Sequence, residues 1–388
     1  MNPLVVDTGS PPIPQVQAWR ASYTGGLGPS IDLSQAVPGY PPHPKMLEKL
    51  AEAAGSPAAA QYGAILGDAD LREAYAADVS AIYGGTVRAD NVAITAGCNQ
   101  AYVAAIMALA KAGDAVLLPS PWYFNHAMTL DMLGIEARPL PCAPEAGFVP
   151  DPELAGTLLD ERVKAIVLVT PNNPTGATYP PETIARFADL CRRRGIALVL
   201  DETYRDFMPG TLGAPHGELA DPGWAATLVQ LYSFSKAYCI PGHRVGAIAA
   251  APGLLAQVTK IQDCVQICPP RPGQIALAWA IDGLRQWRAE NTAEILARTA
   301  AFRAAMAEVP EWRVDAVGAY FAYVRHPFEG VTATEVAGKL ATLRGVICLP
   351  GSYFGPDQDR HLRLAFANAG VSALAGLPRR LAGLAAAG

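Results

Sequence analysis

Long apolar runs are missing from this chain of 388 residues: no stretch approaches the ~18 consecutive apolar residues that a bilayer-crossing helix needs, so a membrane protein is not expected. An excess of positive charge is missing as well. With 30 Lys and Arg against 35 Asp and Glu the formal net charge is -5 and the pI is about 5.7, which leaves no basic footprint for nucleic acid. The opening residues Met1-Asn2-Pro3-Leu4-Val5-Val6-Asp7 carry no basic stretch ahead of an apolar one, so no secretory leader is expected. Polar low-complexity tracts are lacking too, and 51% hydrophobic with 17% charged residues is a globular composition. Cysteine is sparse, seven in all, odd in number and scattered over positions 98, 142, 191, 239, 264, 268 and 348. Most sit in apolar runs, where a reduced cysteine behaves as a small hydrophobe. Cys264 and Cys268 are four apart on an expected helix, but no second Cys or His pair accompanies them, so no metal site is expected. A reducing cytoplasm fits this usage.

What the chain does contain is a long alternation of helical and strand patterns. Its length exceeds one comfortable hydrophobic core, so two domains are expected. Residues 1–45 are rich in proline and glycine, as in Pro11-Pro12-Ile13-Pro14 and Pro38-Gly39-Tyr40-Pro41-Pro42-His43-Pro44, and read as an arm laid over the body and belonging with the smaller domain. Trp19, Tyr23 and Tyr40 give that arm rings to dock with. Helical periodicity covers 46–54, 68–82, 100–111 and 181–194, while 92–95, 115–118, 163–170, 196–200, 228–232 and 245–250 are short, apolar on both faces and strand-like. Such strands separated by helices indicate an α/β fold, a mostly parallel sheet covered by helices on two sides, assigned to residues 46–285. After Gly273 a helical stretch runs to about Val309; strands at 319–324, 346–349 and 361–366 with helices at 332–343 and 372–384 then form a smaller α+β domain, assigned to 286–388.

The chemistry gathers where strands end, and ligands of such sheets bind beyond the carboxyl ends of the strands. The stretch Tyr232-Ser233-Phe234-Ser235-Lys236 joins two core strands, with Arg244 eight residues past the lysine. One amine nucleophile beside Ser233, Ser235 and Arg244 suits a phosphorylated aldehyde, although a surface lysine in a Ser-rich turn has the same local appearance. The strand ending at Thr95 enters Ala96-Gly97-Cys98-Asn99 and a helix, whose free N–H groups can hold an anion. The strand ending at Thr170 enters Pro171-Asn172-Asn173-Pro174-Thr175-Gly176, which presents an asparagine amide or forms an ordinary turn. Asp201 closes an unbroken apolar run and is costly to bury without a cation such as a pyridinium nitrogen; as a helix cap it would need none. Tyr204 follows three residues on, and Pro119-Ser120-Pro121-Trp122-Tyr123-Phe124 offers rings to a planar ligand.

Taken with Tyr62 to Gly67 and Leu71-Arg72, with Pro350-Gly351 and with Arg363-Leu364-Ala365, these pieces make the sequence resemble the fold type I, pyridoxal 5'-phosphate-dependent aminotransferases of class I/II over nearly its whole length. The resemblance implies that Lys236 forms the Schiff base with the cofactor, and that Ser233, Ser235, Arg244 and the backbone around Gly97, Cys98 and Asn99 bind its phosphate. It further implies Asp201 at the pyridine nitrogen, Asn173 and Tyr204 at the ring hydroxyl and Tyr123 on the ring face. Arg363, with Asn173, would receive the substrate carboxylate. Tyr62 would serve the neighbouring subunit's site, which makes a homodimer the expected assembly. Two departures stand out. Gln35-Ala36-Val37-Pro38 replaces an arm glycine common in relatives, and Asn99 stands where dicarboxylate-preferring relatives carry a basic residue. The implied activity is transfer of an amino group from an L-amino acid to a 2-oxo acid, with Lys236 as proton carrier. A C–S or β-lyase, or an amino-acid cyclase or synthase, would use the same residues, since the fold does not decide the fate of the carbanion.

Overall fold

The computed structural model describes residues 1–209 and 214–384. Thirteen strands occur among them: β1 Ile31–Asp32, β2 Val92–Thr95, β3 Ala115–Ser120, β4 Glu136–Pro141, β5 Val163–Val169, β6 Ala197–Asp201, β7 Leu228–Ser233, β8 Gly246–Ala249, β9 Arg313–Gly318, β10 Phe321–Arg325, β11 Val346–Ile347, β12 Leu349–Pro350 and β13 His361–Leu364. Seven of them form one sheet in the order β2-β8-β7-β6-β5-β3-β4. Only β8 runs against its neighbours; β7, β6, β5, β3 and β4 pair in parallel. The mostly parallel α/β sheet expected from the sequence is therefore present.

Its strands are apolar throughout because both faces are covered. Side chains alternate across a strand, so Leu117, Leu168 and Leu200 point into one core while Val116, Val167 and Val199 point into the other. Helices Ala69–Tyr83, Pro181–Arg194 and Arg271–Gly283 pack on the first face, and Cys98–Leu109 with Pro252–Gln266 on the second. Helix Pro181–Arg194 has both of its end signals in the sequence. Proline opens it, where no intrahelical donor is lost, and Arg192, Arg193 and Arg194 fill its last turn before Gly195.

A second, four-stranded antiparallel sheet, β12-β13-β10-β9, has its own core around Phe302, Trp312, Val324, Leu362 and Leu374. Part of the N-terminal arm lies against it, whereas the first helix, Pro3–Asp7, packs on helix Phe124–Leu133 beside the large sheet, so the arm does not belong wholly with the smaller domain. Strand β1 pairs in parallel with β11, helix Ile13–Ala21 buries Val16, and Trp19 packs on the same core. The long helical stretch after Gly273 is two helices, Arg271–Gly283 and Arg285–Ala307. No helix among the described residues is long and apolar enough to cross a membrane.

Several elements differ from the sequence reading. Strand β4 is not evident in the sequence, since Pro139 and Pro141 interrupt it; it lies at the sheet edge, where a missing N–H is tolerated. Helix Phe124–Leu133 is not evident either, because Phe-Asn-His-Ala-Met-Thr-Leu lacks a clean 3.6-residue stripe. The run 346–349 is two strands that join different sheets. The helix expected over 332–343 is α-helical only over Ala333–Lys339. That expected over 372–384 is two short helices, Val371–Leu374 and Leu377–Leu381, with Gly376 between them. Cys264 and Cys268 do not share a helix: it ends at Gln266, and Ile267 turns the chain away with φ 67°.

Candidate functional site

The carboxyl ends of β5, β6 and β7 open onto a cavity of about 390 Å³, closed from the opposite side by the arm after β1 and by β13. Asp201 is the last residue of β6 and Ser233 the last of β7. Lys236 follows on the one-turn helix Phe234–Ala237. Cys98 and Asn99 begin the helix after β2, and Asn173 and Tyr204 lie on the connections leaving β5 and β6. With Tyr123, Ser235, Arg244 and Arg363, all of these line the cavity. Residues up to 265 positions apart thus converge on one space.

One end is built to hold an anion. Gly97 caps the helix Cys98–Leu109 with φ 86°, and the Arg244 guanidinium lies against it so closely that a Cβ there would sit 2.1 Å from Nη2. Only glycine combines that backbone with that approach. The first N–H groups of a helix have no intrahelical partner and point toward this end. Arg244 Nη1 is anchored by donating to the Pro241 carbonyl at 2.9 Å, and the Ser233 hydroxyl accepts from the Ser235 N–H at 3.3 Å.

At the floor, the buried Asp201 carboxylate is half satisfied. Its Oδ1 accepts the Thr203 N–H at 3.0 Å and the Thr203 hydroxyl at 2.7 Å, while Oδ2 faces His126 Nε2 at 3.5 Å. The His126 ring stacks on Tyr102 with centroids 3.8 Å apart. Burial, then the Asp201 charge, pushes the Cys98 thiol well above its ordinary value, so the sulfur beside Asp201 is neutral. His126 and Thr203 belong to this site, and the sequence reading does not single them out. His126 sits on the helix Phe124–Leu133; Thr203, two residues past a strand-end aspartate, matches an Asx-type turn and could have been found that way.

Two groups on the near wall are donors. Asn173 uses its oxygen to accept Arg363 Nη1 at 3.1 Å, which leaves the amide nitrogen as its free end. Burial first, then Tyr123, raises the Tyr204 phenol well above its ordinary value, so it keeps its proton. Tyr123 is likewise pushed up to about 12, mainly by burial, and its hydroxyl receives the Asn125 amide at 2.9 Å.

Lys236 donates to the Ala36 carbonyl on the arm. Burial, then Arg244, then Arg363 push its amine down to about 8. Arg363 reaches in from β13 between two phenyl rings, its guanidinium carbon 5.1 Å from the Phe321 centroid and 5.2 Å from that of Phe354. It also donates to the Ser34 carbonyl, its Nε has no partner, and burial lowers it to about 10. Among the described residues neither Lys236, Arg244 nor Arg363 forms an ion pair. Arg244 stands at the exposed, anion-holding end, whereas Arg363 is buried and Lys236 half-buried, and such cations left without counter-charge are expensive. A ligand with a phosphate at one end and a carboxylate near the other would supply it, and a pyridinium would complete Asp201. Pyridoxal phosphate with an amino acid meets each of these demands.

Tyr62 does not join the cavity. It is 78% exposed and borders a separate groove with Arg271 and Cys268. Behind the site, Glu202 is fully buried in a polar cluster: Tyr83 donates to it at 2.6 Å, Gln230 donates to its other oxygen, and His216 lies 3.4 Å away. Burial alone would raise the Glu202 pKa, but His216, Arg205 and Tyr83 together hold it below the usual value. Arg205 continues the cluster, 4.1 Å from the Tyr232 ring centroid and 3.7 Å from Asp78. The segment carrying Asp201 and Tyr204 is thereby pinned from below.

The family model "Aminotransferase class I and II" matches residues 29–375. The chain is 28% identical over 366 residues to the aromatic aminotransferase ISS1 of Arabidopsis thaliana, covering 92% of this chain and 89% of that protein. It is 28% identical over 312 residues to the arginine–pyruvate transaminase AruH of Pseudomonas aeruginosa, covering 78% of this chain and 77% of that one. The solved apo structure of BacF from Bacillus subtilis superimposes with a TM-score of 0.90 at 25% identity, over 98% of this chain and 97% of that chain.

Proposed function

The chain belongs to the aminotransferase class I and II family, and from that premise we propose how its own residues divide the work of a pyridoxal-phosphate-dependent transaminase between an L-amino acid and a 2-oxo acid. When bound, the cofactor supplies an aldehyde for amines and a conjugated pyridinium that accepts the electron pair released at the substrate Cα. Ser233, Ser235, Arg244 and the N–H groups after Gly97 hold its phosphate. Asp201 keeps the pyridine nitrogen protonated through the oxygen that Thr203 leaves free, His126 steadying that oxygen. Asn173 and Tyr204, which line the cavity as donors, would hold the ring hydroxyl, and Tyr123 would meet the ring.

Arg363 receives the α-carboxylate, its orientation preset by Phe321, Phe354 and Asn173. Lys236 would hold the cofactor's aldehyde carbon, and its Nζ would serve as the base for the substrate Cα proton. An amine lowered to about 8 is close to the pKa such a base needs near neutral pH. The observation that carries this division of labour is the set of three unpaired cations facing one half-satisfied carboxylate. Mixing the purified protein with pyridoxal phosphate and then an amino acid tests it. The bound cofactor's absorbance should convert to that of its aminated form and return on adding a 2-oxo acid; in Lys236→Ala the cofactor should bind without covalent attachment and the conversion should fail.

We take residues 46–285 as the large cofactor-holding domain, and residues 286–388 together with the arm 1–45, apart from its first helix, as the small one. A homodimer is our reading of Tyr62, whose exposure leaves it free to reach a second subunit's site. Sedimentation together with cofactor affinity of Tyr62→Phe tests that: a monomer with undiminished affinity for the cofactor would refute it. Cytoplasmic residence is our reading of the scattered free cysteines, Cys264 among them exposed.

A further inference from the structure

The substituents of an α-amino acid divide this cavity into regions. With the carboxylate at Arg363 and the amine beside Lys236, the side chain must leave the α-carbon toward the wall that neither residue occupies. That wall is Pro11 and Ile13 from the arm, Val37 next to the Ala36 carbonyl that Lys236 holds, and Phe124 at the start of its helix. Ile13 and Phe124 pack on one apolar cluster with Phe354, Leu349 and Ile347, and the Phe124 and Phe354 rings lie 5.8 Å apart. The same Phe354 ring covers Arg363. Apolar packing thus links the carboxylate clamp, through Phe354, to the cavity-lining Ile13 and Phe124.

Charge is absent from this wall. The cations lining the cavity are Lys236, Arg244 and Arg363, already assigned to amine, phosphate and α-carboxylate, and the only lining carboxylate among the described residues is Asp201 on the floor. Gln35 and Asn125 are the polar side chains nearby, both neutral. If the face bearing Tyr62 closes over a second subunit's site, its cation does not change the balance, because Arg271 is spent on both oxygens of Asp68, at 3.1 and 3.2 Å, and on the Ala58 carbonyl.

Resting on the aminotransferase reading, we infer that Ile13, Val37 and Phe124 form the side-chain subsite and select an amino acid with an uncharged, apolar side chain. A distal carboxylate or guanidinium there would lose its water without gaining a partner. The arm, not the sheet, would then set specificity, while the strand ends set the chemistry.

The test measures the rate of cofactor conversion under subsaturating leucine, methionine, phenylalanine, aspartate and arginine, together with the thermal stabilisation that unreactive 3-phenylpropionate and succinate confer on the holoenzyme. The best apolar amino acid should exceed aspartate and arginine by roughly a hundredfold, and 3-phenylpropionate should stabilise more than succinate. Ile13→Arg, or Val37→Arg if the first variant is poorly folded, should reverse the preference between the two carboxylates and narrow the gap to aspartate by about tenfold or more. Conversion by aspartate or arginine equal to that by every apolar amino acid, or an unchanged preference in the arginine variants, would overturn the inference. Absence of conversion with any amino acid would instead sink the aminotransferase reading, and the two carboxylates would still decide the character of the subsite.

Discussion

Replacing Lys236 with methionine should make the cofactor-free protein more stable. The amine has an ordinary value of 10.5 and is driven to about 8 by burial and by Arg244 and Arg363. Each tenfold loss of proton affinity on folding is worth about 1.4 kcal/mol, so at pH 7 the folded chain carries a penalty of about 3 kcal/mol for a protonated Lys236 that the unfolded chain does not. This is an upper figure, since the amine faces the cavity and keeps some solvent. Methionine has similar length and no charge, and the loss of the hydrogen bond to Ala36 removes only about 1 kcal/mol of the gain. The sign with pH follows from proton counting. Between pH 8 and 10.5 the unfolded state binds more protons at this position, so the wild type regains stability as pH rises, and the difference between the two proteins should vanish near pH 10.5. Urea unfolding of both apoproteins at about pH 7 and about pH 10 measures it. The methionine protein should have the higher midpoint at neutral pH with little difference in the alkaline buffer, and saturating pyridoxal phosphate should reverse the order, because only the wild type can form the covalent link. Equal midpoints at neutral pH, or a difference independent of pH, would show that the lysine is not held in the environment described here.

Gly97→Ala puts a methyl 2.1 Å from the Arg244 guanidinium at φ 86°, a strain of about 1–3 kcal/mol, and should weaken phosphate-end binding of the cofactor roughly tenfold to a hundredfold in a fluorescence titration. Arg363→Lys keeps the charge but loses the planar fork between Phe321 and Phe354, so KM for the amino acid should rise by about tenfold or more while cofactor affinity holds; a proportional loss of both would contradict its assignment. Glu202→Ala leaves Tyr83 and Gln230 without their buried acceptor and takes the facing charge from His216 and Arg205, and should cost about 3–5 kcal/mol, seen as a lower denaturation midpoint of the holoenzyme.

Legibility in the sequence follows the range of the signal. The strand that ends in Asp201 and those that lead into Asn173 and Lys236 are readable because each is a short apolar run followed by residues that do not belong in a core, a pattern contained in about ten consecutive positions. Helix Pro181–Arg194 is readable to the residue, since proline and three arginines mark its ends. Strand β4 and helix Phe124–Leu133 are not, because edge position and local packing outweigh weak periodicity there. His126 goes unread with that helix, and nothing in its neighbourhood announces Asp201, a partner far along the chain.

What the amino-acid order determined by itself is the inventory and its sheet: which groups stand at strand ends, and that these strands run parallel beneath helices. Only the tertiary structure decided what faces them. The contact of Arg363 with Asn173 and Ser34, the seat of Lys236 under Ala36, and the apolar wall of Ile13 and Phe124 all join segments far apart in the chain. Propensity and periodicity act over a few turns of chain, whereas these contacts arise from packing one sheet and its arm against another, where burial without a counter-charge moves the lysine and the arginine away from their ordinary values.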